Sequence, residues 1–254
     1  MIMKKVSVLI VAKNEANHIR ECIESCRFDK EIIVIDDHST DNTAEIAEGL
    51  GAKVFRRHLN GDFGAQKTFA IEQAGGEWVF LIDADERCTP ELSDEISKIV
   101  QTGDYAAYFV ERRNLFPNHP ATHGAMRPDS VCRLMPKKDS SVQGKVHETV
   151  QTPYPKRRLK HFIYHYTYDN WEQYFNKFNK YTSISAEKYR EQGKPVRFVR
   201  DIILRPIWGF FKIYILNKGF LDGKMGWIMS VNHSYYTMIK YVKLYYLYKS
   251  GGKF

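Results

Sequence analysis

The sequence predicts an α/β fold, a mostly parallel sheet with helices on both faces, followed by a C-terminal helical, basic and aromatic extension. Three observations predict it. In the first hundred residues short apolar runs alternate with segments of helical spacing, the order that βαβ units require. The runs are nearly continuous in apolar residues, as strands buried on both faces are. Beyond residue 170 the pattern turns helical and the composition changes. Residues 151–254 carry 19 Lys and Arg against 6 Asp and Glu, with 25 of the chain's 35 Phe, Trp and Tyr, whereas residues 1–150 carry 19 against 24.

Residues 5–12 (KVSVLIVA) are the first predicted strand. The charged start before this run resembles a signal peptide in outline. The run stops at Ala12, with Lys13 and Glu15 next, so a buried strand is the better reading. Residues 15–27 have helical spacing, with Ala16, Ile19, Cys22, Ile23 and Cys26 on one side. Strand 31–35 follows, then a helix over 41–50 with Ser39, Thr40 or Asp41 as cap. Strand 52–55, helix 65–74 and strand 77–82 complete the alternation. Thr89-Pro90 opens another helix, with Thr as cap and Pro in the first turn. Residues 105–111, 131–135 and 159–168 read as strands, and 114–128, rich in Pro, His and Asn, as a loop. Helices are expected over 171–192, 198–216 and 226–248, punctuated by Gly193-Lys194-Pro195 and Asn217-Lys218-Gly219. The domain division expected is 1–168 and 169–254.

The 254 residues suffice for one large domain with an appendage. Cys22, Cys26, Cys88 and Cys132 form neither a CxxC pair nor a secreted framework, which points to a reducing, cytoplasmic compartment. No apolar run reaches the roughly 18 residues of a membrane span. The net charge of +8 is concentrated in the C-terminal part, which suits anionic lipid or phosphate. Residues 202–216 (IILRPIWGFFKIYIL) are the most apolar stretch, interrupted by Arg205, Pro206 and Lys212. They suit a peripheral position on the inner membrane surface. The alternatives are a helical subdomain packed on the first domain, or a homodimer contact. No nucleic-acid motif accompanies the basic and aromatic residues, and the acidic strand ends argue against a nucleic-acid track.

A parallel sheet gathers its strand ends along one edge, where ligands bind. Those ends carry Ala12-Lys13-Asn14-Glu15, Asp36-Asp37-His38-Ser39-Thr40-Asp41, Asn60-Gly61-Asp62 and Asp83-Ala84-Asp85-Glu86. Carboxylates gathered in this way repel one another unless a cation or a donor-rich ligand compensates. Asp83-x-Asp85 after a buried strand suits Mg2+ or Mn2+, which take hard oxygen ligands and share their shell with substrate phosphates. No GxGxxG follows the first strand, which excludes a dinucleotide oxidoreductase. The Gly-rich basic loop of nucleotidyltransferases is missing as well. His161 and His165 lie four apart on one predicted strand and so share a face. His165 is favoured as metal ligand, with packing among tyrosines as the alternative. His119 and His123 lack the further ligands of a zinc site.

Residues 8–15 (VLIVAKNE), 35–41 (IDDHSTD) and 81–86 (LIDADE), in that order and spacing, resemble the family 2 glycosyltransferases of GT-A fold. Gly64-Ala65-Gln66-Lys67, Val146-His147-Glu148 and Gly219-Phe220-Leu221-Asp222-Gly223 are most similar to bacterial lipopolysaccharide-core β-glucosyltransferases. The resemblance implies an inverting transfer of a sugar, with glucose suggested, from a UDP-sugar to a lipid-linked or lipopolysaccharide-core acceptor. It places Ala12 and Glu15 at the nucleoside, Asp37 with Asp36 at the uracil edge, and Lys67 near the base or diphosphate. It places Asp83 at the ribose or sugar and Asp85 on the metal. Glu148 is the candidate base, since an inverting transfer needs a carboxylate to take the acceptor proton; the alternative is an ordinary exposed glutamate near a turn. Relatives often carry Asn where Thr68 stands, which questions a donor contact there. The competing reading of the whole chain is a non-catalytic, membrane-associated module that binds a nucleotide sugar.

Overall fold

The computed structural model describes residues 6–28, 30–116, 119–120, 122–145 and 148–252. They form β1 (Val6–Ala12), α1 (Ile19–Ser25), β2 (Lys30–Asp36), α2 (Thr43–Gly49), β3 (Lys53–Arg56), α3 (Phe63–Gln73) and β4 (Trp78–Asp83). Next come β5 (Glu86–Cys88), α4 (Pro90–Thr102), β6 (Ala107–Phe116), β7 (His119–Pro120), β8 (Asp129–Pro136), β9 (Ser141–Gln143), β10 (Thr149–Gln151) and β11 (Lys156–Tyr166). The last part holds α5 (Trp171–Glu191), α6 (Arg205–Phe211) and α7 (Gly223–Lys249), with π-helical turns over Phe198–Leu204 and Lys212–Leu216. Two compact units result, residues 1–112 with 129–165, and residues 113–128 with 166–254. The expected cut at residue 168 thus lies near one crossing between the units, while residues 113–128 join the second unit.

In the first unit β3, β2, β1 and β4 run parallel, and β8 continues the sheet antiparallel to β4. The sheet order then runs through β6 and β11 to β5. Both faces of the parallel strands are covered, which is why they lack polar alternation. Val8, Ile10, Val34, Phe80 and Ile82 pack with Ile19, Cys22, Leu92 and Ile96 of α1 and α4 on one side. Leu9, Ile33, Val79 and Leu81 pack with Ala70 and Ile71 of α3 on the other.

Differences from the expected boundaries have local causes. The first helix begins at Ile19 instead of residue 15 because side chains of the next loop capture the backbone before it. Thr43 Oγ1 accepts from the Glu15 N–H at 2.8 Å, and Asp41 accepts from the Ala16 N–H at 3.1 Å. Asp41 also accepts from the Thr43 N–H, so the second helix starts two residues late. Asp62 caps α3 and Thr89 caps α4. The 114–128 segment is less irregular than its composition suggests: it contains the end of β6, β7 and a 3-10 turn over Gly124–Met126.

At the end of the sheet remote from the strand ends, Glu31 ties several segments together. It accepts from Ser7 Oγ at 2.7 Å, from the Gly75 N–H at 2.7 Å and from Lys53 at 2.6 Å. Burial alone would raise its pKa, but the Lys53, Ser7 and Gly75 donors outweigh it and hold the carboxyl down to about 2. A depressed folded value means that the stabilisation is complete above the ordinary carboxyl range and is lost as pH falls toward about 2. Glu31→Gln is therefore expected to flatten the acid limb of the stability curve in that window, read by urea unfolding at successive pH values. An unchanged acid limb would show that these bonds do not discriminate the ionised form.

In the second unit α5 and α7 pack through Phe178, Tyr235 and Tyr236, and Lys243 reaches Asn179 and Thr182 across the pair. The Gly219–Gly223 segment forms a corner. Asp222 accepts from the Thr122 and His123 backbone N–H groups at 3.3 and 2.9 Å. A Cβ on Gly226 would collide with the Gly219 carbonyl, so α7 can begin this close to the corner only with glycine there.

Candidate active site

The loops after β1 and β2 are laced to each other before they meet any ligand. Asn14, in a left-handed conformation at φ 56°, donates its N–H to Ser39 Oγ at 2.9 Å. Its side-chain oxygen accepts from the Thr40 N–H at 2.8 Å. Lys13 bonds Asp37 at 2.8 Å. Several polar residues of the first two motifs therefore serve the loop architecture itself.

Beside this lacing lies a cleft of about 300 Å³, lined by Ala12, Lys13, Glu15, Asp37, Asp83, Asp85 and His165 among others. Six of the predicted site residues, Ala12, Glu15, Asp37, Asp83, Asp85 and His165, thus share one cavity. β1 supplies the first, and its register with β4, Val11 opposite Asp83, brings in the Asp-x-Asp triplet. Asp37 accepts from Lys13 and from the Leu59 N–H at 2.9 Å; burial raises its pKa, and these donors more than offset that and lower it. Asp36 is not among the lining residues. It is buried, and its carboxylate accepts from the Ser39 N–H at 3.1 Å, shaping the turn.

Asp83 is held between two cations. Lys67 Nζ lies 3.1 Å from one oxygen and Arg133 Nη2 donates to the other at 2.6 Å. Burial would raise the Asp83 pKa, but the Arg133 and Lys67 charges overrule it and hold the group well below the usual carboxylate range. Arg133 also donates to Glu86 at 2.5 Å, and Glu86, 0% exposed, accepts from the Asp83 N–H at 3.0 Å. Burial raises the pKa of Glu86, with Arg133 opposing and the Asp83 charge reinforcing the rise. Sequence reasoning names Glu86 only as part of the Asp83–Glu86 strand end and gives Arg133 no role. The available signal was a lone arginine inside the otherwise apolar strand segment Val131-Cys132-Arg133-Leu134-Met135, where burial demands a partner.

Lys67 also lies 3.6 Å from Glu148 Oε1, so the candidate base stands within one lysine's reach of Asp83. Val146 and His147 of the same motif lie outside the described residues. The Gly64-Ala65-Gln66-Lys67 segment has a local logic. A Cβ on Gly64 would sit 2.8 Å from the Gly144 carbonyl oxygen, so glycine lets α3 approach the residues before Glu148. Gln66 is buried and donates to the Arg57 carbonyl at 2.7 Å. Thr68 exchanges hydrogen bonds with the Val142 backbone, accepting at 2.9 Å and donating at 2.8 Å, which fastens α3 to β9.

Strand pairing separates the two histidines of β11. Antiparallel pairing sets His165 opposite Glu86, with its Nε2 3.4 Å from Asp85 Oδ2. His161 lies four residues back and meets Glu95 at 2.9 Å. Among the described residues no group of three or more His, Cys, Asp or Glu side chains could hold a metal ion. Asp85 and His165 could supply two ligands, and a hard divalent ion with substrate phosphates and water in the rest of its shell fits such a pair.

Comparison with known proteins bears on this arrangement. The chain is 32% identical to an uncharacterized glycosyltransferase of Rickettsia typhi, over 95% of its own length and 87% of the relative's. It is 27% identical to the lipopolysaccharide core biosynthesis glycosyltransferase LpsC of Rhizobium meliloti, over 94% of its own length and 92% of the relative's. Among solved structures, S. aureus TarS 1–349 in complex with UDP-GlcNAc matches at a TM-score of 0.46 and 16% identity, covering 98% of this chain and 93% of that one. That last likeness is too distant to assign a ligand. The model of "Glycosyl transferase family 2" matches residues 7–184, and with the relatives that share nearly its whole length this establishes that the chain belongs to glycosyltransferase family 2.

Proposed function

We propose that the protein is an inverting, metal-assisted hexosyltransferase that moves a sugar from a UDP-sugar to a lipid-linked or lipopolysaccharide-core acceptor. The observation that carries this reading is the cleft that gathers Glu15, Asp37, Asp83, Asp85 and His165, with Lys67 joining Asp83 to Glu148. UDP and glucose are the donor parts that the sequence resemblance implies. The likeness to LpsC supports the acceptor class.

In this reading Ala12 and Glu15 flank the nucleoside, and Asp37, anchored by Lys13 and Leu59, faces the uracil edge. Asp83, fixed by Arg133, orients the ribose or sugar. Lys67, buried between Asp83 and Glu148, sits near the base or the diphosphate. Glu148 takes the proton of the acceptor hydroxyl as that oxygen attacks the anomeric carbon from the face opposite the diphosphate. The bond from that carbon to the diphosphate oxygen breaks, and UDP departs with the electron pair. Asp85 and His165 would hold Mg2+ or Mn2+, which when bound neutralises the leaving diphosphate, so no second acid is required.

Calorimetric titration of UDP into the full chain tests the donor site. Binding is expected to tighten on adding manganese, and Asp85→Ala is expected to remove that gain while keeping the metal-independent part. The absence of UDP binding to the wild type, with or without manganese, would overturn the reading.

A further inference from the structure

The continuous helical stretch from Phe198 to Leu216 presents an apolar face to solvent. It packs inward through Ile202, Pro206, Gly209 and Ile213, at spacings of three and four. Gly209 allows the close approach, with His233 of α7 at 3.5 Å from where its Cβ would sit, and Ser234 bonds the Pro206 carbonyl at 2.9 Å. The outward face should then be polar, as on an ordinary surface helix. Instead Val199, Ile203, Ile207, Phe211 and Ile215 repeat every four residues along it, flanked by Trp208, and all are exposed, Ile207 to 61% and Trp208 to 58%. Such a contiguous apolar surface marks an interaction site.

Its charge says with what. From residue 197 to 218 the stretch carries Arg197, Arg200, Arg205, Lys212 and Lys218, and its acidic residue is Asp201. Asp201 is 0% exposed and bonded to Arg200 and Arg205, so it offers no negative charge outward. Among the described residues no helix is long and apolar enough to cross a membrane.

We propose that this face lies in the interface of an anionic lipid bilayer, with the apolar row seated among the acyl chains and the flanking cations at the headgroup phosphates. The charge pattern favours lipid over a second copy, because self-association would bring two cationic rims together. The proposal extends the reading of a lipid-linked acceptor but stands on this surface alone.

Flotation of the full chain with vesicles tests it. At low salt the protein is expected to float with phosphatidylcholine–phosphatidylglycerol vesicles, more weakly with phosphatidylcholine alone, and less as salt rises. The double variant Ile207→Asp, Trp208→Asp is expected to lose vesicle affinity by roughly tenfold or more. UDP titration of the same variant should match the wild type, which separates loss of the surface from failure of the donor site. Wild type that does not float with anionic vesicles, or a double variant that floats as well as wild type, would overturn the proposal. So would a dimer in sedimentation that the variant dissolves without any change in flotation.

Discussion

Glu148→Gln is expected to lower kcat by about 10²–10⁴-fold, the usual worth of a positioned general base. The amide keeps the size and the hydrogen-bonding shape of the side chain but cannot accept the acceptor's proton. Lys67, 3.6 Å away, loses one anionic neighbour and keeps Asp83 at 3.1 Å. Donor binding should therefore be unaffected, and the loss should fall on turnover. Steady-state kinetics on a UDP-sugar and a lipid-linked acceptor, paired with UDP calorimetry, check this. Wild-type turnover would remove Glu148 from the base role and leave it as an ion-pair partner of Lys67. Weakened UDP binding would relocate it to the donor site.

The second large effect concerns stability. Arg133 is buried, and its guanidinium is shared between Asp83 at 2.6 Å and Glu86 at 2.5 Å. Arg112 reaches Glu86 from further off, at 3.4 Å. Removing Arg133 leaves two neighbouring carboxylates facing each other without their main counter-charge. Breaking a buried pair from one side costs about 3–5 kcal/mol, far more than the median of about 0–1 kcal/mol for an exposed pair. Arg133→Met is expected to cost that much in urea unfolding. Adding Glu86→Gln to it should recover part of the loss, because the amide removes one of the uncompensated charges. A cost of about 1 kcal/mol or less for the single variant would mean that Lys67 suffices for Asp83 and that Arg112 or solvent compensates Glu86.

The sequence by itself determined the parallel half of the sheet. Strands covered on both faces are apolar at nearly every position, so residues 5–12, 31–35 and 77–82 announce themselves without tertiary information. Strand ends of a parallel sheet fall on one edge, so the sequence alone groups Glu15, Asp37, Asp83 and Asp85. The roles of Asp41, Thr43 and Asn14 as the lacing between loops were hidden, because a polar loop residue bonded to backbone and one aimed at a ligand look alike in sequence.

Only the tertiary structure decided the antiparallel half. The pairing of β11 with β5 sets His165 beside Asp85 and leaves His161 at Glu95. The β9–β10 pair, which went unrecognised as strands, sits next to Glu148. The partners of Asp83 come from residues far apart in the chain, Lys67 on a helix and Arg133 on a strand. Such contacts depend on register and strand order, which side-chain periodicity within a segment does not encode: the period of two says which face a residue occupies, and only the pairing says what it meets there.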